Sequence, residues 1–196
     1  RVLSGLPSKA LMTVSPRGLP VCIATGRTGG TTVAATMIGA HLAGISVFAT
    51  GGIGGVHKGA ELSFDVSADL TELAATPVTV VAAGAKAILD LPKTLEVLET
   101  QGVPVIAYGQ DTFPAFWSRE SNLAAPLRLD TAKDIAASHA MRGRMGLPGG
   151  QLIANPIPAE AQISAEVLAP IIAQATEEAE SQGVTGKGVT LSPIHN

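Results

Sequence analysis

The residues Phe48–Asp69 read F-A-T-G-G-I-G-G-V-H-K-G-A-E-L-S-F-D-V-S-A-D. The short apolar segment Ile45–Ala49 runs into four glycines within five residues, and then come His57, Lys58 and an acidic segment. Glycines permit a positive φ and let a ligand approach main-chain N–H groups closely. A cation beside such a loop suits a phosphate, and carboxylates suit a divalent metal or sugar hydroxyls. The stretch therefore predicts either an ordinary strand-to-loop turn or a site for a phosphorylated, polyhydroxylated small molecule, and its density of polar residues favours the site.

The composition narrows the class of protein. A chain of 196 residues suits one domain with a sizeable core, and with 46% hydrophobic but only 3% aromatic residues that core must consist of Ala, Val, Leu and Ile. A formal charge of −3 without a basic block argues against nucleic acid or an anionic membrane as partner. We also find no apolar run of about 18 residues that would span a membrane. The single cysteine, Cys22, predicts a buried small hydrophobe and a reducing, cytoplasmic compartment.

Apolar segments alternate with helical segments along the chain. Strands are predicted at Val21–Ala24, Ile45–Ala49, Pro77–Ala83, Val103–Tyr108, Ala124–Leu129 (an edge strand) and Gly149–Ala154. Helices are predicted at Thr32–Ala43, Ser67–Leu73, Thr131–Met145 and Ser164–Gln182, with another after Lys86 that Pro92 interrupts. This alternation predicts an α/β fold with a mainly parallel sheet. Residues 1–20 are expected to be irregular, 113–117 a packed loop or contact surface, and the chain after Gly183 without a defined element.

Four predicted loops follow strands at the same edge of that sheet. They are Thr25–Gly30, Thr50–Gly55, Gly84–Lys86 and Gly109–Asp111. In open α/β sheets, ligands bind beyond the carboxyl ends of the strands. We therefore expect the four loops to meet around one cleft.

Four titratable residues near these loops are candidates for chemistry. Lys86 follows an apolar strand and small residues, so its amine is either a partly desolvated nucleophile or an ordinary lysine that pairs with an acid. Asp65 and Asp69 either share one face of a helix or approach one cation from two directions, and Asp69 can also be a first-turn acid that complements the helix dipole. We expect a divalent metal near Asp65 with water completing its shell. His57 either binds phosphate or only completes the loop.

Several longer sequence motifs of the chain, spread over Leu11–Gly186, resemble those of one known family, the pseudouridine-5'-phosphate glycosidases. The words that carry the resemblance are T-G-G-I-G-G-V-H-K-G-A-E (Thr50–Glu61), F-D-V-S-A-D-L (Phe64–Leu70), A-G-A-K-A-I-L-D-L-P-K-T-L-E-V-L-E-T-Q-G-V-P-V (Ala83–Val105), F-P-A-F-W (Phe113–Trp117) and A-N-P-I-P (Ala154–Pro158). The resemblance implies a three-layer α/β/α fold, a homotrimer and a divalent metal, typically Mn²⁺. It also implies reversible cleavage of the C–C glycosidic bond of pseudouridine 5'-phosphate to uracil and ribose 5-phosphate.

The resemblance assigns roles to particular residues. It implies that Lys86 is the nucleophile, which bonds C1' of the opened ribose as a Schiff-base-type adduct, and that Asp65 is the metal-associated aspartate. The candidate substrate-binding residues are Val33, Ser67, Ala68 and Asp69, together with Thr13 and His57. A C–C glycoside has no leaving oxygen, so chemistry with two carboxylates does not transfer simply, and an iminium supplies the electron sink.

Three departures from the family pattern shape the expected function. The family's general-acid glutamate, in an E-S-T-like word near its N-terminus, has no counterpart, and Thr13 stands where the family has a lysine that contacts the substrate phosphate. Thr190–Asn196 is also unlike the family's C-terminal region. We expect residues 1–196 to form a single domain that lacks those terminal regions. The alternatives to an active glycosidase are a truncated, non-catalytic homologue that binds a sugar phosphate and a lysine-dependent lyase or aldolase for another sugar phosphate.

Overall fold

The computed structural model describes residues 12–182. Its strands are β1 Met12–Val14, β2 Gly29–Thr31, β3 Val47–Ala49, β4 Thr79–Ala82, β5 Val105–Tyr108, β6 Leu127–Leu129 and β7 Gln151–Ala154. Its α-helices are α1 Leu19–Ala24, α2 Val33–Leu42, α3 Ala60–Ser63, α4 Ala68–Ala75, α5 Leu91–Thr100, α6 Ala132–Arg144 and α7 Ala165–Ser181. A 3₁₀ turn, Ala159–Ala161, precedes α7.

The main sheet is parallel throughout. Its strand order is β3-β4-β7-β5-β6, and β7, the last of these strands along the chain, pairs with both β4 and β5 at its centre. β1 and β2 form a separate parallel pair. The α/β prediction is confirmed, and so is the placement of β6 at an edge.

Helices cover both faces of this sheet. Val80 and Leu152 pack into the large core cluster that also contains residues of α2, α4 and α5. The preceding residue in each strand faces the other way, because successive side chains of a strand point to opposite faces. There Thr79 hydrogen-bonds His139 of α6, and Gln151 hydrogen-bonds Ser138 of the same helix. The arrangement is therefore the three-layer α/β/α sandwich.

The core is aliphatic, as the composition requires. Its fully buried side chains include Met37 of α2, Leu70 and Leu73 of α4, and Leu98 of α5. Phe113, in the loop after β5, is a buried aromatic residue. No helix within residues 12–182 is both long and apolar enough to cross a membrane.

The strand predicted at Val21–Ala24 is wrong, because this segment belongs to helix α1. Pro20 lies in the first turn, where a missing N–H costs nothing and the fixed φ suits a helix. Only Cys22 of this helix is buried, whereas Val21 is 54% and Ile23 71% exposed. A short apolar run does not by itself distinguish a strand from a helix.

A two-strand unit occupies segments that were expected to be irregular or turns. β1 lies within residues 1–20, of which 1–11 are outside the described part, and β2 begins inside the predicted turn Thr25–Gly30 and ends one residue after it. A Cβ on Gly29 would come within 2.6 Å of the Met12 carbonyl oxygen, so this close pairing requires glycine.

Helix starts agree well with the sequence. The side chains of Thr32, Ser67 and Thr131 cap α2, α4 and α6. Pro92 does not interrupt α5 but lies in its first turn, after the cap residue Asp90. The short helix α3 was not predicted, and the tail beyond 182 is outside the described residues.

Candidate functional site

The loops after β3 and β4 run side by side beyond the carboxyl edge of the sheet. Ile53 N–H donates to the Gly84 carbonyl at 3.1 Å, and Lys86 N–H donates to the Ile53 carbonyl at 3.1 Å. Ile53 and Ala85 pair as a parallel bridge, which extends the β3–β4 ladder into the loops. The structure thus brings the glycine loop and Lys86 together, as predicted for these two of the four loops. Lys86 itself is half-buried.

Asp69 connects the glycine loop to the start of α2. Its side chain is 5% exposed, and its oxygen Oδ1 accepts the Ala34 amide at 2.8 Å while Oδ2 accepts the Gly54 amide at 2.8 Å. Asp69 is also a first-turn acid of α4, so that part of the prediction is confirmed. Its carboxylate therefore connects three segments: the glycine loop, the start of α2 and its own helix α4.

The N-terminus of α2 is already occupied by internal acceptors. Asp69 takes the Ala34 amide, and Thr32 Oγ1 takes the Ala35 amide at 3.3 Å. Val33, the first helical residue, packs its half-buried side chain against the main core.

His57 and Asp65 lie on two paired segments that α3 connects. His57 N–H donates to the Asp65 carbonyl oxygen at 3.0 Å, and Val56 pairs antiparallel with Val66 next to them. Both residues are half-buried. Ser67 follows, where its hydroxyl accepts the Asp69 amide at 3.2 Å and its own amide donates to Gly55, while Ala68 is exposed.

An ion cluster fastens α3 to the start of α5 beside this loop. Lys93 Nζ lies 2.9 Å from carboxylate oxygens of both Glu61 and Asp90. The Lys93 ammonium lowers the pKa of Glu61, and the two carboxylates raise the pKa of Lys93. Partial burial raises the pKa of Asp90, but hydrogen bonds from Lys93 outweigh that effect and leave it below its usual value.

Comparisons with known proteins identify the family of the chain. The model of the family described as "Indigoidine synthase A like protein" matches residues 3–193. The chain belongs to this family.

Two curated relatives carry a more specific name. "Pseudouridine-5'-phosphate glycosidase" of Paracoccus denitrificans (strain Pd 1222) is 67% identical over 188 residues, which cover 96% of this chain and 62% of that protein. The protein of the same name from Jannaschia sp. (strain CCS1) is 70% identical over 177 residues, covering 90% of this chain and 59% of the relative. The chain thus spans about three fifths of these relatives.

Solved structures of the family share the fold. The prealnumycin C-glycosynthase AlnA, crystallised in complex with ribulose 5-phosphate, is 36% identical with a TM-score of 0.88, over 96% of this chain and 62% of that one. An indigoidine synthase A-like protein from Thermotoga maritima is 32% identical with a TM-score of 0.81, over 93% of this chain and 61% of the other.

The contacts of Gly109–Asp111 are with the neighbouring edge strand. Gly109 N–H donates to the Leu129 carbonyl, and Asp111 forms an ion pair with Arg128 at 2.8 Å, so this segment binds edge strand β6. The later part of the same loop approaches the site, since Phe116 N–H donates to the Ala83 carbonyl at 3.0 Å.

The loop Thr25–Gly30 follows a helix and not a strand, so the reason for expecting it at the cleft no longer applies. It leads into β2, beside β1, and exposed Thr13 pairs there with Gly30. The link to the site is indirect: Thr32 N–H, at the cap of α2, donates to the Val14 carbonyl at 3.0 Å.

The donor set restricts what kind of metal site could form. Within residues 12–182, no group of three or more His, Cys, Asp or Glu side chains is placed to hold a metal ion. A protein-enclosed metal does not fit this arrangement. Ions such as Mg²⁺ keep several waters and need only one or two protein carboxylates, and Asp65 is half-buried.

Two residues of the site escaped the sequence analysis. Phe116 adopts φ 61° and touches the glycine loop, and buried Thr94 of α5 accepts the Val56 amide at 3.0 Å. The word F-P-A-F-W signalled a packed loop, but a left-handed phenylalanine has no sequence signature. The sequence around Thr94 predicts a helix but gives no signal for its contact with the loop.

Proposed function

We propose that this chain carries the lysine-centred core of a pseudouridine-5'-phosphate glycosidase, which reversibly cleaves the C–C glycosidic bond to give uracil and ribose 5-phosphate. The observation that carries the proposal is the pairing of Lys86 with the glycine loop at the carboxyl edge of the sheet, where α/β proteins bind ligands. The name of the curated relatives supports the reaction, and the ribulose 5-phosphate bound to AlnA supports a sugar 5-phosphate as ligand.

Lys86 supplies the nucleophile in this proposal. The C1'–O4' bond breaks as the ribose opens and O4' takes up a proton, while the neutral Lys86 amine bonds to C1' and loses a proton. The nitrogen lone pair then expels the uracil ring, so that the C1'–C5 bond breaks and an iminium forms. C5 of uracil takes up a proton. Water then hydrolyses the iminium, which returns the free amine and releases ribose 5-phosphate.

The remaining candidate residues bind and orient the substrate. We propose that Ser67, Ala68 and Val33 line the sugar subsite, and that His57 contributes to phosphate binding. Thr13 leaves the phosphate without the family's lysine, so we expect weak phosphate binding. Asp65 would hold Mn²⁺ or another divalent ion, which supplies positive charge beside the sugar phosphate. The homotrimer implied by the resemblance and the cytoplasmic location predicted from the single cysteine belong to the same proposal.

Synthesis in the reverse direction tests the function. The chain is incubated with ribose 5-phosphate, uracil and Mn²⁺, and pseudouridine 5'-phosphate is measured chromatographically. We expect product from the wild-type chain and none from Lys86→Arg, because a guanidinium stays protonated and is not an amine nucleophile. Absence of product from folded wild-type protein, at substrate concentrations where binding is measurable, would contradict the proposal.

A further inference from the structure

Asp69 is a buried carboxylate whose two oxygens are both used by the protein's own main chain. Oδ1 accepts Ala34 N–H of α2, 35 residues away in sequence, and Oδ2 accepts Gly54 N–H of the glycine loop, 15 residues away. Each bond measures 2.8 Å, the length of a charge-assisted hydrogen bond. Only 5% of the residue is exposed, so it offers little surface to a ligand.

The second of these bonds leads directly to Lys86. The peptide group between Ile53 and Gly54 donates its N–H to Asp69 and accepts the Lys86 N–H on its carbonyl oxygen. One rigid peptide plane therefore connects the carboxylate to the main chain of the lysine. If the carboxylate no longer held the N–H, that plane could rotate, and Lys86 would lose its fixed partner.

We infer that Asp69 is a positioning residue, which holds Lys86 and the start of α2 in register through backbone hydrogen bonds rather than by contacting the substrate. The inference rests on the proposed function for its kinetic consequences, but the hydrogen bonds themselves do not depend on it. It differs from the role that the family resemblance implies for this position, which is direct substrate binding.

The geometry explains why position 69 needs a carboxylate and why position 54, which lies against it, needs a glycine. Two N–H donors converge on Asp69, and only an ionised carboxylate presents acceptors to both. An asparagine of the same shape would turn an NH₂ group toward one of the amides, which leaves that buried donor unpaired. A Cβ on Gly54 would lie 2.7 Å from Cβ of Ser67 and 2.8 Å from Asp69 Oδ2, so the loop approaches the start of α4 and its carboxylate closely only because residue 54 is glycine.

The variant Asp69→Asn tests the inference, with Gln151→Met as its matched control. Gln151 is also a fully buried polar residue with two side-chain hydrogen bonds, to Ser138 and Ile135, but it lies at the start of β7, at the amino edge of the sheet. Amide hydrogen exchange and steady-state kinetics on pseudouridine 5'-phosphate are measured on both variants. The first readout reports on the hydrogen bonds, and the second separates turnover from binding.

In Asp69→Asn we expect the Gly54 and Lys86 amides to exchange at least about tenfold faster than in Gln151→Met, where only the α6 side of the sheet loosens. We expect kcat to fall at least about tenfold while KM changes less than about threefold. If Asp69→Asn does not fold, Gly54→Ala replaces it for the exchange measurement alone, because its Cβ crowds both the carboxylate and Ser67 of the proposed sugar subsite. Faster exchange of the Lys86 amide is again expected.

A raised KM at unchanged kcat would overturn the inference in favour of direct substrate contact. Unchanged exchange of the Gly54 and Lys86 amides would overturn it as well, whatever the kinetics show. If the wild-type chain shows no turnover, the proposed function fails, and the exchange measurement alone still decides whether Asp69 holds Lys86.

Discussion

The ring of Phe116 lies directly against the main chain at Gly52. A Cβ placed on Gly52 would be 2.5 Å from Cε2 of the ring and 3.2 Å from the Gly84 carbonyl oxygen. Phe116 reaches this position with φ 61°, a left-handed conformation that costs a bulky residue energy. The ring thus covers the point where the loops after β3 and β4 meet.

This contact predicts that Gly52→Ala displaces Phe116 and lowers the stability of the fold. Overpacking of this kind typically costs about 1–3 kcal/mol, which denaturant unfolding measures. Gly30→Ala is the matched control, because a Cβ there meets no atom within 4 Å. Combining Gly52→Ala with Phe116→Ala should cost less than the sum of the two single changes, and strict additivity would show that the ring is not the obstacle.

The sequence predicted those parts of the fold that depend on local signals. Cap residues such as Thr32 and Thr131 mark helix starts through a side chain and an amide three residues on, and such signals are visible in a single sequence. The strand order depends on pairing between segments far apart in the chain. The helical state of Val21–Ala24 likewise depends on tertiary contacts and not on its own sequence pattern. Alternation of elements was sufficient for the class of fold but not for these details.

The site was predicted in its parts but not in its connections. The glycine loop, Lys86 and Asp69 all stood out by residue type, and the carboxyl-edge rule placed the first two together. The two oxygens of Asp69 accept the amides of Ala34 and Gly54. These bonds depend on the relative position of three segments, which no local sequence pattern encodes. The same is true of Phe116, which combines a left-handed φ with a hydrogen bond from its N–H to the Ala83 carbonyl.

The ion cluster around Lys93 predicts a pH-dependent contribution to stability. Because the pKa values of Glu61 and Asp90 are lowered on folding, their contribution is present above the ordinary carboxyl pKa of about 4 and is lost as the pH falls through the lower folded values. The pKa of Lys93 is raised, so its contribution is present below its ordinary value of about 10 and is lost as the pH rises through the higher folded value.

Lys93→Met should therefore lower the melting temperature slightly at pH about 7, and the difference from wild type should shrink at pH about 3. The effect is small because the lysine and Glu61 are largely exposed to screening solvent. Lys133→Met on α6 serves as control, since among residues 12–182 the structure shows it no ion pair. A difference that grows on acidification would contradict the assigned signs.

The proposed hydrated cation at Asp65 predicts measurable Mn²⁺ binding that depends on this one carboxylate. We expect Asp65→Asn to weaken Mn²⁺ binding at least about tenfold, because the site offers the ion few other hard protein ligands. Electron paramagnetic resonance of free Mn²⁺ during titration measures the change. Asp134→Asn, an exposed first-turn acid of α6, should leave the binding curve unchanged, and equal losses in the two variants would mean that the ion is held by general surface charge.

The nucleophile is tested by trapping it. If the Lys86 amine forms an iminium with ribose 5-phosphate, borohydride delivers hydride to the iminium carbon and leaves a stable secondary amine. A sugar-phosphate adduct should then appear on the peptide that contains Lys86.

Lys86→Arg should abolish the adduct, since an arginine stays protonated. Lys58→Arg should keep it, because Lys58 is an exposed loop residue outside the Lys86–Ile53 pairing. Formation of the iminium from ribose 5-phosphate does not involve uracil, so trapping reports on Lys86 even where the C–C bond is made or broken slowly. Mass spectrometry locates the label, and an adduct on Lys58 or Lys93 would show that the nucleophile is misassigned. Bound ribose 5-phosphate that leaves no label on any lysine would mean that the pocket binds the sugar phosphate without the proposed covalent chemistry.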